Sequence, residues 1–135
     1  MKRVLFLCTG NSARSQMAEA LLRHLGGDEF EVYSAGTRPQ SEVNLFALQA
    51  LNEKDIPTEG LHPKTIGEVA HLKIDLVVTV CDSAKEACPY FPGAERMEHW
   101  SLEDPAAFQG SYDEIRFRFR ETRDEIERRI RSNIL

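Results

Sequence analysis

The stretch Cys8-Thr9-Gly10-Asn11-Ser12-Ala13-Arg14-Ser15 separates a short apolar run from a segment with helical periodicity. Residues 4–7 are all apolar and end at a turn, which is typical of a buried strand. Apolar side chains then recur at helical spacing from residue 16 to residue 25, which predicts a helix. The stretch therefore joins a strand to a helix, and we call residues 8–15 the cradle loop.

The cradle loop has the composition of an oxyanion site. Gly10 and Asn11 tolerate the dihedrals of a tight loop, so successive backbone N–H groups can converge on one anion. These groups belong to Thr9, Gly10, Asn11, Ser12, Ala13, Arg14 and Ser15. The Arg14 guanidinium and the helix N-terminus add positive charge, which favours the nucleophilic thiolate of Cys8, and Ser15 can donate to that sulfur. A lone cysteine is more often a small buried hydrophobe, but this context predicts a catalytic nucleophile.

Length, composition and charge limit the classes of protein to which this chain can belong. The chain has 135 residues, 41% hydrophobic and 29% charged, which predicts a single domain over residues 1–135 with no membrane span and no signal peptide. We expect a cytoplasmic monomer. The net charge of −5 argues against nucleic acid as a partner, so any anion must be captured by local geometry. Three cysteines without secretory features indicate nucleophilic or redox chemistry rather than structural disulfides.

Strands and helices alternate along the rest of the chain. Strands are predicted at 30–35, 74–80 and 96–100, and helices from Asn44 towards Pro57, at 65–72 and from Tyr112 to Ile130, with weak helical character at 82–87. In the second helix, Leu45, Leu48 and Leu51 are expected to face the core. This alternation predicts an α/β fold with helices on both faces of a parallel sheet.

The last helix has one apolar stripe and one charged face. The stripe consists of Ile115, Phe119, Thr122, Ile126 and Ile130. The other face carries arginines interleaved with acids, from Arg116 through Arg123 to Arg131. Mixed signs at this spacing favour a solvated, salt-bridged face over a basic binding surface.

A strand order of 2-1-3-4 would bring distant residues to one edge of the sheet. Ligands of parallel sheets bind beyond the carboxyl ends of the strands, where the strand order reverses. Cys8 follows the first strand and Cys81 the third, so both thiols would lie there. Asp104 follows the fourth strand and could protonate a leaving oxygen there, although an Asp-Pro pair alone more often starts a turn or helix.

Three roles are possible for Cys81 and Cys88. In a regular helix their α-carbons would be separated by a rise of roughly 10 Å, too far for a disulfide, so a bond between them requires the segment to unwind. Cys81 could instead be a packed residue, or the two thiols could form half of a metal site. The histidines His24, His62, His71 and His99 are scattered along the sequence, which disfavours metal.

Several motifs together resemble one known family, the thioredoxin-coupled arsenate reductases. They are the cradle loop with Gln16-Met17-Ala18-Glu19, Val32-Tyr33-Ser34-Ala35-Gly36, Val77-Val78-Thr79-Val80-Cys81, Cys88-Pro89, and His99-Trp100 followed by Asp104-Pro105-Ala106. That family shares the low-molecular-weight protein tyrosine phosphatase fold, a three-layer α/β/α arrangement around a four-stranded parallel sheet of order 2-1-3-4. It reduces arsenate to arsenite without a cofactor.

The resemblance implies a role for each of these residues. Cys8 attacks arsenate held by the loop amides and Arg14, Ser15 stabilises the thiolate, and Asp104 acts as general acid. Cys81 then attacks Cys8 to form a Cys8–Cys81 disulfide and release arsenite. Cys88 next attacks Cys81, and thioredoxin reduces the resulting Cys81–Cys88 disulfide.

Two departures from the family pattern concern the cradle loop. Ala13 stands where some members have a further cysteine outside the relay. Some members bind potassium through residues like Asn11, Glu19 and Ser34 together with an aspartate. Here Thr65 aligns near that aspartate, so the resemblance implies no metal.

Two rival functions use the same loop. A tyrosine phosphatase would form a phosphocysteine on Cys8 with Arg14 and Asp104, but it needs neither Cys81 nor Cys88. Such phosphatases carry an aromatic pair where this chain has Ala106-Ala107. A non-catalytic anion or thiol sensor would need only the cradle. Glutaredoxin and mycothiol-type thiols serve other relatives as donors, whereas two downstream cysteines favour thioredoxin.

Overall fold

Four parallel strands form the centre of the molecule in the order β2-β1-β3-β4. The computed structural model describes residues 1–82 and 87–135. The strands are β1 (Lys2–Cys8), β2 (Phe30–Gly36), β3 (Leu76–Thr79) and β4 (Arg96–His99). This order confirms the predicted sheet, with β1 between β2 and β3 and all pairs parallel.

Helices cover both faces of this sheet. They are α1 (Arg14–Gly26), α2 (Leu45–Asn52), α3 (Ile66–Val69) and α4 (Tyr112–Asn133), with 3₁₀ turns at Gly27–Glu29 and Pro105–Ala107. Because successive side chains of a strand alternate in direction, β1 contributes to two apolar layers. Val4 and Phe6 pack with α1, α2 and α4, whereas Leu5 and Leu7 pack with Val69 of α3. The predicted three-layer α/β/α arrangement is therefore confirmed.

The burial of β1 on both faces explains its sequence. Its residues 4–7 are fully buried, so none of them needs a polar face. Phe6 also meets Trp100, which follows β4, with ring centroids 6.0 Å apart. The short apolar run before the cradle loop is thus the central strand of the sheet.

The inward face of α2 differs from the prediction. Leu45 is the first residue of the helix and is 71% exposed, so its predicted burial is wrong. Leu51 is buried as predicted and Leu48 is half-buried, while Ala47 and Ala50 complete the core-facing stripe at helical spacing. Small alanines at two of these positions let α2 approach its neighbours closely.

The long helix α4 begins at a capping box. Ser111 Oγ accepts from the Glu114 amide at 3.2 Å, and the Glu114 carboxylate accepts from the Ser111 amide at 2.9 Å. Phe119, Ile126 and Ile130 are buried as the apolar stripe predicts. Arg123 departs from the predicted solvated face, because it is buried and donates to the Ala50 carbonyl at 2.7 Å.

Other boundaries differ by a few residues. The helix predicted at 65–72 is a single turn, and the strand predicted at 74–80 is shortened to β3. The helical character predicted for 82–87 falls mostly on residues 83–86, which lie outside the described residues. Within residues 1–82 and 87–135, no helix is long and apolar enough to cross a membrane.

Candidate active site

The backbone of the cradle loop is held from outside by the segment that follows β2. The amides of Thr37, Arg38 and Gln40 donate to the carbonyls of Cys8, Thr9 and Gly10 at 3.4, 2.9 and 2.9 Å, and the Asn44 amide donates to the Ser12 carbonyl at 2.9 Å. These bonds occupy the loop carbonyls on its outer side. They fix the path of the loop backbone, as an anion-binding turn requires.

Two residues allow this tight path. Asn11 adopts a left-handed conformation with φ of 46°, which asparagine tolerates better than most residues. Gly36, at the end of β2, lies so close to the loop that a Cβ there would be 2.5 Å from the Thr9 carbonyl oxygen. Gly10 has no left-handed φ in the structure; a Cβ there would be 3.3 Å from Gln40 Nε2.

Cys8 lies at the base of the cradle loop with two hydrogen-bond partners. Its side chain is buried and its thiol is free. The Ser15 Oγ is 2.8 Å from the sulfur, and the Asn11 amide donates to the sulfur at 3.1 Å. These two contacts fix the position of the sulfur at the base of the loop.

A buried chain of hydrogen bonds supports the loop from below. Asn11 Nδ2 donates to Ser15 Oγ at 2.7 Å and to Ser34 Oγ at 3.0 Å. Ser34 in turn donates to the Glu19 carboxylate at 2.5 Å. Gln16 Nε2 adds a bond to the Asn11 carbonyl at 2.9 Å. The orientation of the Asn11 side chain, and with it that of Ser15, is fixed by these partners.

The residues that suggest a potassium site already face nitrogen donors of the protein. Glu19 is buried, and its carboxylate pairs with Arg23 Nη1 at 2.6 Å and with Lys64 Nζ at 3.6 Å. Asn11 Oδ1 accepts from the Lys64 amide at 2.8 Å. Because the anionic and carbonyl oxygens face these donors, this cluster does not fit a potassium ion.

Arg14 and Asp104 meet at the mouth of the cradle loop. The Arg14 side chain is buried and donates to the Leu102 carbonyl at 3.0 Å. Its Nη2 lies 3.7 Å from Asp104 Oδ2. The other carboxylate oxygen of Asp104 caps the 3₁₀ turn by accepting from the Ala106 amide at 3.0 Å. The carboxylate is therefore held beside the guanidinium at the end of β4, where the sequence places it.

A small cavity of about 170 Å³ lies over the cradle loop. Its lining includes Cys8, Arg14 and Asp104, and also Arg38 and Gln40 from the segment after β2. Neither Arg38 nor Gln40 is predicted as a site residue from the sequence. The signal that could have found them is topological, because they follow a strand whose carboxyl end lies at the same edge of the sheet.

The two remaining cysteines also reach this edge. The Val80 amide donates to the Leu7 carbonyl at 2.8 Å, so Cys81 begins the chain beyond β3 beside the point where Cys8 ends β1. Cys81 is buried and bonded to Cys88 in a disulfide, with the α-carbons 5.9 Å apart. That separation is far shorter than a regular helix would give. Cys88 itself is partly exposed.

His99, at the end of β4, lies beside this disulfide. One ring nitrogen and the two sulfurs all lie within 4.8 Å of one another. The histidines are scattered along the sequence, but the sheet brings His99 close to Cys81 and Cys88. The pairing of Thr79 with His99 in β3 and β4 places the histidine next to the end of the strand that precedes Cys81.

Comparison with known proteins decides the family. Residues 3–134 match the family described as low molecular weight phosphotyrosine protein phosphatase. The chain belongs to this family. An arsenate reductase from Halalkalibacterium halodurans is 43% identical over 131 residues, which are 97% of this chain and 94% of that protein. The resemblance predicted from the motifs is thereby confirmed.

Solved structures extend this likeness to three dimensions. An arsenate reductase solved in a phosphate-binding state superposes with a TM-score of 0.81 at 31% identity, covering 98% of this chain and 95% of that one. A thioredoxin-dependent arsenate reductase from Corynebacterium glutamicum superposes with a TM-score of 0.67 at 30% identity, covering 98% of this chain and 61% of that one. The four-stranded parallel fold of this chain is therefore that of these arsenate reductases.

Proposed function

We propose that this protein is an arsenate reductase that works by a three-cysteine relay through Cys8, Cys81 and Cys88. The proposal is supported by one observation, that two reactive features lie at the same edge of the sheet, beyond the carboxyl ends of its strands. One is a buried free thiol inside an oxyanion-shaped loop, and the other is a disulfide that begins at the end of the neighbouring strand. A phosphatase accounts for the first feature and leaves the second without a role.

The first step uses the cradle loop. The loop amides and Arg14 hold the tetrahedral oxyanion, and the Cys8 thiolate attacks arsenic. One oxygen leaves arsenic as hydroxide and takes a proton from Asp104, which becomes a carboxylate beside Arg14. The products of this step are a Cys8–arsenic(V) adduct and water.

The second and third steps move the electrons. The Cys81 thiolate attacks the sulfur of Cys8, and the electron pair of the sulfur–arsenic bond passes to arsenic, which leaves as arsenite. A Cys8–Cys81 disulfide remains. The Cys88 thiolate then attacks the sulfur of Cys81, and Cys8 departs as a thiolate ready for another cycle. The described state, with Cys8 free and Cys81 bonded to Cys88, corresponds to the end of this sequence.

The last step needs an external dithiol, for which we propose thioredoxin. Cys88 is partly exposed, so a partner's thiolate can attack its sulfur. Tyr90 and Met97 are exposed by 75% and 38%, which offers apolar surface near the disulfide for a protein partner. The thioredoxin dependence named for the Corynebacterium glutamicum protein supports this choice.

We also propose that the protein is a monomer in the cytoplasm, where such reductants keep thiols reduced.

The decisive experiment compares wild type with Cys88→Ser in arsenate-dependent NADPH oxidation driven by thioredoxin and thioredoxin reductase. We expect multiple turnovers by the wild type and at most one by the variant, because Cys81 then has no partner that can free Cys8. Hydrolysis of p-nitrophenyl phosphate, which uses the cradle loop and Asp104 but neither Cys81 nor Cys88, serves as the folding control and is expected to be unchanged. Cys8→Ser should abolish both reactions.

The contrary result is equally clear. If the wild type consumed no NADPH with arsenate while p-nitrophenyl phosphate was hydrolysed, the phosphatase reading with Cys8, Arg14 and Asp104 would replace this proposal. If Cys88→Ser turned over arsenate at the wild-type rate, Cys88 would lie outside the relay.

A further inference from the structure

We propose that reduction of the Cys81–Cys88 disulfide creates a binding site for a thiophilic divalent cation, with His99 as the third ligand. The site goes beyond arsenate reduction, and its formation does not depend on the substrate. It is distinct from the cluster around Glu19, which lies behind the cradle loop.

The three ligands are already assembled in the described state. The two sulfurs and one ring nitrogen of His99 lie within 4.8 Å of one another. Zinc bound to thiolates at about 2.3 Å and to imidazole at about 2.0–2.1 Å in a tetrahedron needs ligand separations of roughly 3.4–3.8 Å. The distances from the histidine nitrogen to the sulfurs therefore exceed this requirement by at most about 1.4 Å, before any adjustment of the backbone.

The two sulfurs must separate before they can bind a cation, and reduction of the disulfide allows this. They are bonded to each other in the disulfide, so they are not available as thiolates to a cation. Uptake of two electrons and two protons from a dithiol such as dithiothreitol breaks that bond, and the sulfurs then separate to non-bonded contact. The cation displaces the two thiol protons and binds both thiolates. Disulfide and bound cation therefore exclude one another.

The surroundings of His99 suit a metal ligand. Nδ1 lies 2.6 Å from the Oγ1 of Thr79, a buried hydroxyl. When Nδ1 carries the proton it donates to Thr79, and the lone pair is then on Nε2; a fixed tautomer of this kind is typical of metal-binding histidines. A cavity of about 300 Å³ adjoins the site and is lined by Cys88, His99 and the acidic Glu98, which leaves room for a water as fourth ligand.

The set of donors selects the cation. Two thiolates and one imidazole are soft to intermediate ligands, which favour Zn²⁺ and disfavour Mg²⁺ and Ca²⁺. Two thiolate charges also balance a divalent cation. We therefore choose Zn²⁺ as the probe, with Co²⁺ as its spectroscopic substitute.

The test measures Zn²⁺ binding to the full chain in a Cys8→Ser background, so that Cys8 cannot contribute a third thiolate. Competition with a chromophoric chelator should show one Zn²⁺ per chain in the reduced protein and none in the oxidised protein. Co²⁺ should give thiolate charge-transfer absorption only after reduction. His99→Gln should weaken binding at least tenfold, whereas His71→Gln, a change at an exposed histidine, should leave it unchanged.

Two further measurements keep the test independent of folding defects. Thiol titration of each reduced variant confirms that two cysteines are available. In reduced protein that keeps Cys81, Cys88 and His99, Zn²⁺ should protect His99, but not His71, from modification by diethyl pyrocarbonate.

Thr79→Val removes the hydroxyl partner of His99 Nδ1 and should weaken Zn²⁺ binding by about tenfold.

Three results would overturn the proposal. They are equal binding by reduced and oxidised protein, wild-type affinity in His99→Gln with its thiols titratable, and modification of His99 at the same rate with and without Zn²⁺. None of these bears on arsenate turnover. Failure here and failure of the proposed relay are therefore distinguishable.

Discussion

Asp104, beside the cradle loop, has both a structural and a proposed chemical role, and the two roles can be tested separately. One of its carboxylate oxygens caps the turn that follows it, and the other faces Arg14. Asparagine can accept the same capping bond but has no proton to transfer. Substitution at this position therefore isolates the acid function from the fold.

We predict that Asp104→Asn lowers kcat for arsenate by about 10²–10⁴-fold, the usual contribution of a general acid. The melting temperature should stay within a few degrees, because the cap persists. Single-turnover kinetics would measure the chemical step. Glu103→Gln, at the exposed neighbouring carboxylate, is the control and should retain full activity. An active Asp104→Asn would exclude Asp104 as the acid.

At the scale of elements, the cradle loop depends on how closely β2 approaches it. Gly36 is required by packing, since a Cβ there would lie 2.5 Å from a backbone oxygen of the loop. Gly67, inside α3, has open surroundings, with its nearest contact at 3.7 Å. The two glycines form a matched pair for testing this point.

We predict that Gly36→Ala destabilises the protein by about 1–3 kcal/mol, the usual cost of overpacking. It should also weaken phosphate binding, because the displaced Thr9 carbonyl moves the loop amides. Gly67→Ala should be neutral or slightly stabilising, by up to about 1 kcal/mol. Urea unfolding and phosphate titration measure both effects. Equal stability of the two variants would contradict the packing argument.

Helices α2 and α4 are joined by an ion-pair network centred on Glu53. Its carboxylate pairs with Arg116 at 2.7 Å, Arg120 at 2.9 Å and Arg123 at 3.4 Å. The Arg120 hydrogen bond, against the opposing effect of desolvation, holds the pKa of Glu53 below its ordinary value, and Arg116 adds to this. The ionised form is therefore the one that stabilises the fold.

We predict that Glu53→Gln lowers the free energy of unfolding by about 1 kcal/mol at pH 7, given the partial exposure of the network. A lowered pKa in the folded state means that this contribution is complete above the unfolded pKa of about 4.3. It is lost as the pH falls through the lower folded value. Urea unfolding of both proteins between pH 7 and pH 3 should show the difference shrinking towards zero. A constant difference would show that ionisation is not the cause.

At the scale of the whole molecule, stability rests on the layer between the sheet and α1, α2 and α4. Ile126 of α4 is fully buried in that layer. Leu45 of α2 is exposed although it is a large apolar residue. Their different surroundings predict opposite sensitivities to truncation.

We predict that Ile126→Ala costs about 2–5 kcal/mol, the usual range for a buried isoleucine truncated to alanine. Leu45→Ala should change stability by no more than about 0.5 kcal/mol. Thermal and urea unfolding of both variants would measure these values. A large loss in Leu45→Ala would restore the original view that this leucine faces the core.

The sequence by itself determined the local features of this protein. The unbroken apolar run of β1, the cradle loop and the helical periodicity of α1 are set by neighbouring residues, so they could be read directly. The alternation of elements predicted a parallel sheet, and the resemblance to the family implied its strand order. Motifs spread over the chain were enough to identify the family.

Only the tertiary structure decided what depends on contacts between distant residues. It placed Arg38 and Gln40 over the cradle loop, buried Arg123 and exposed Leu45. It also brought His99 to the Cys81–Cys88 disulfide and Lys64 to Glu19. Periodicity gives the faces of one element, but which face is buried, and which charges meet, is fixed by the neighbour that packs against it. That is the physical reason why these residues could not be assigned from the sequence.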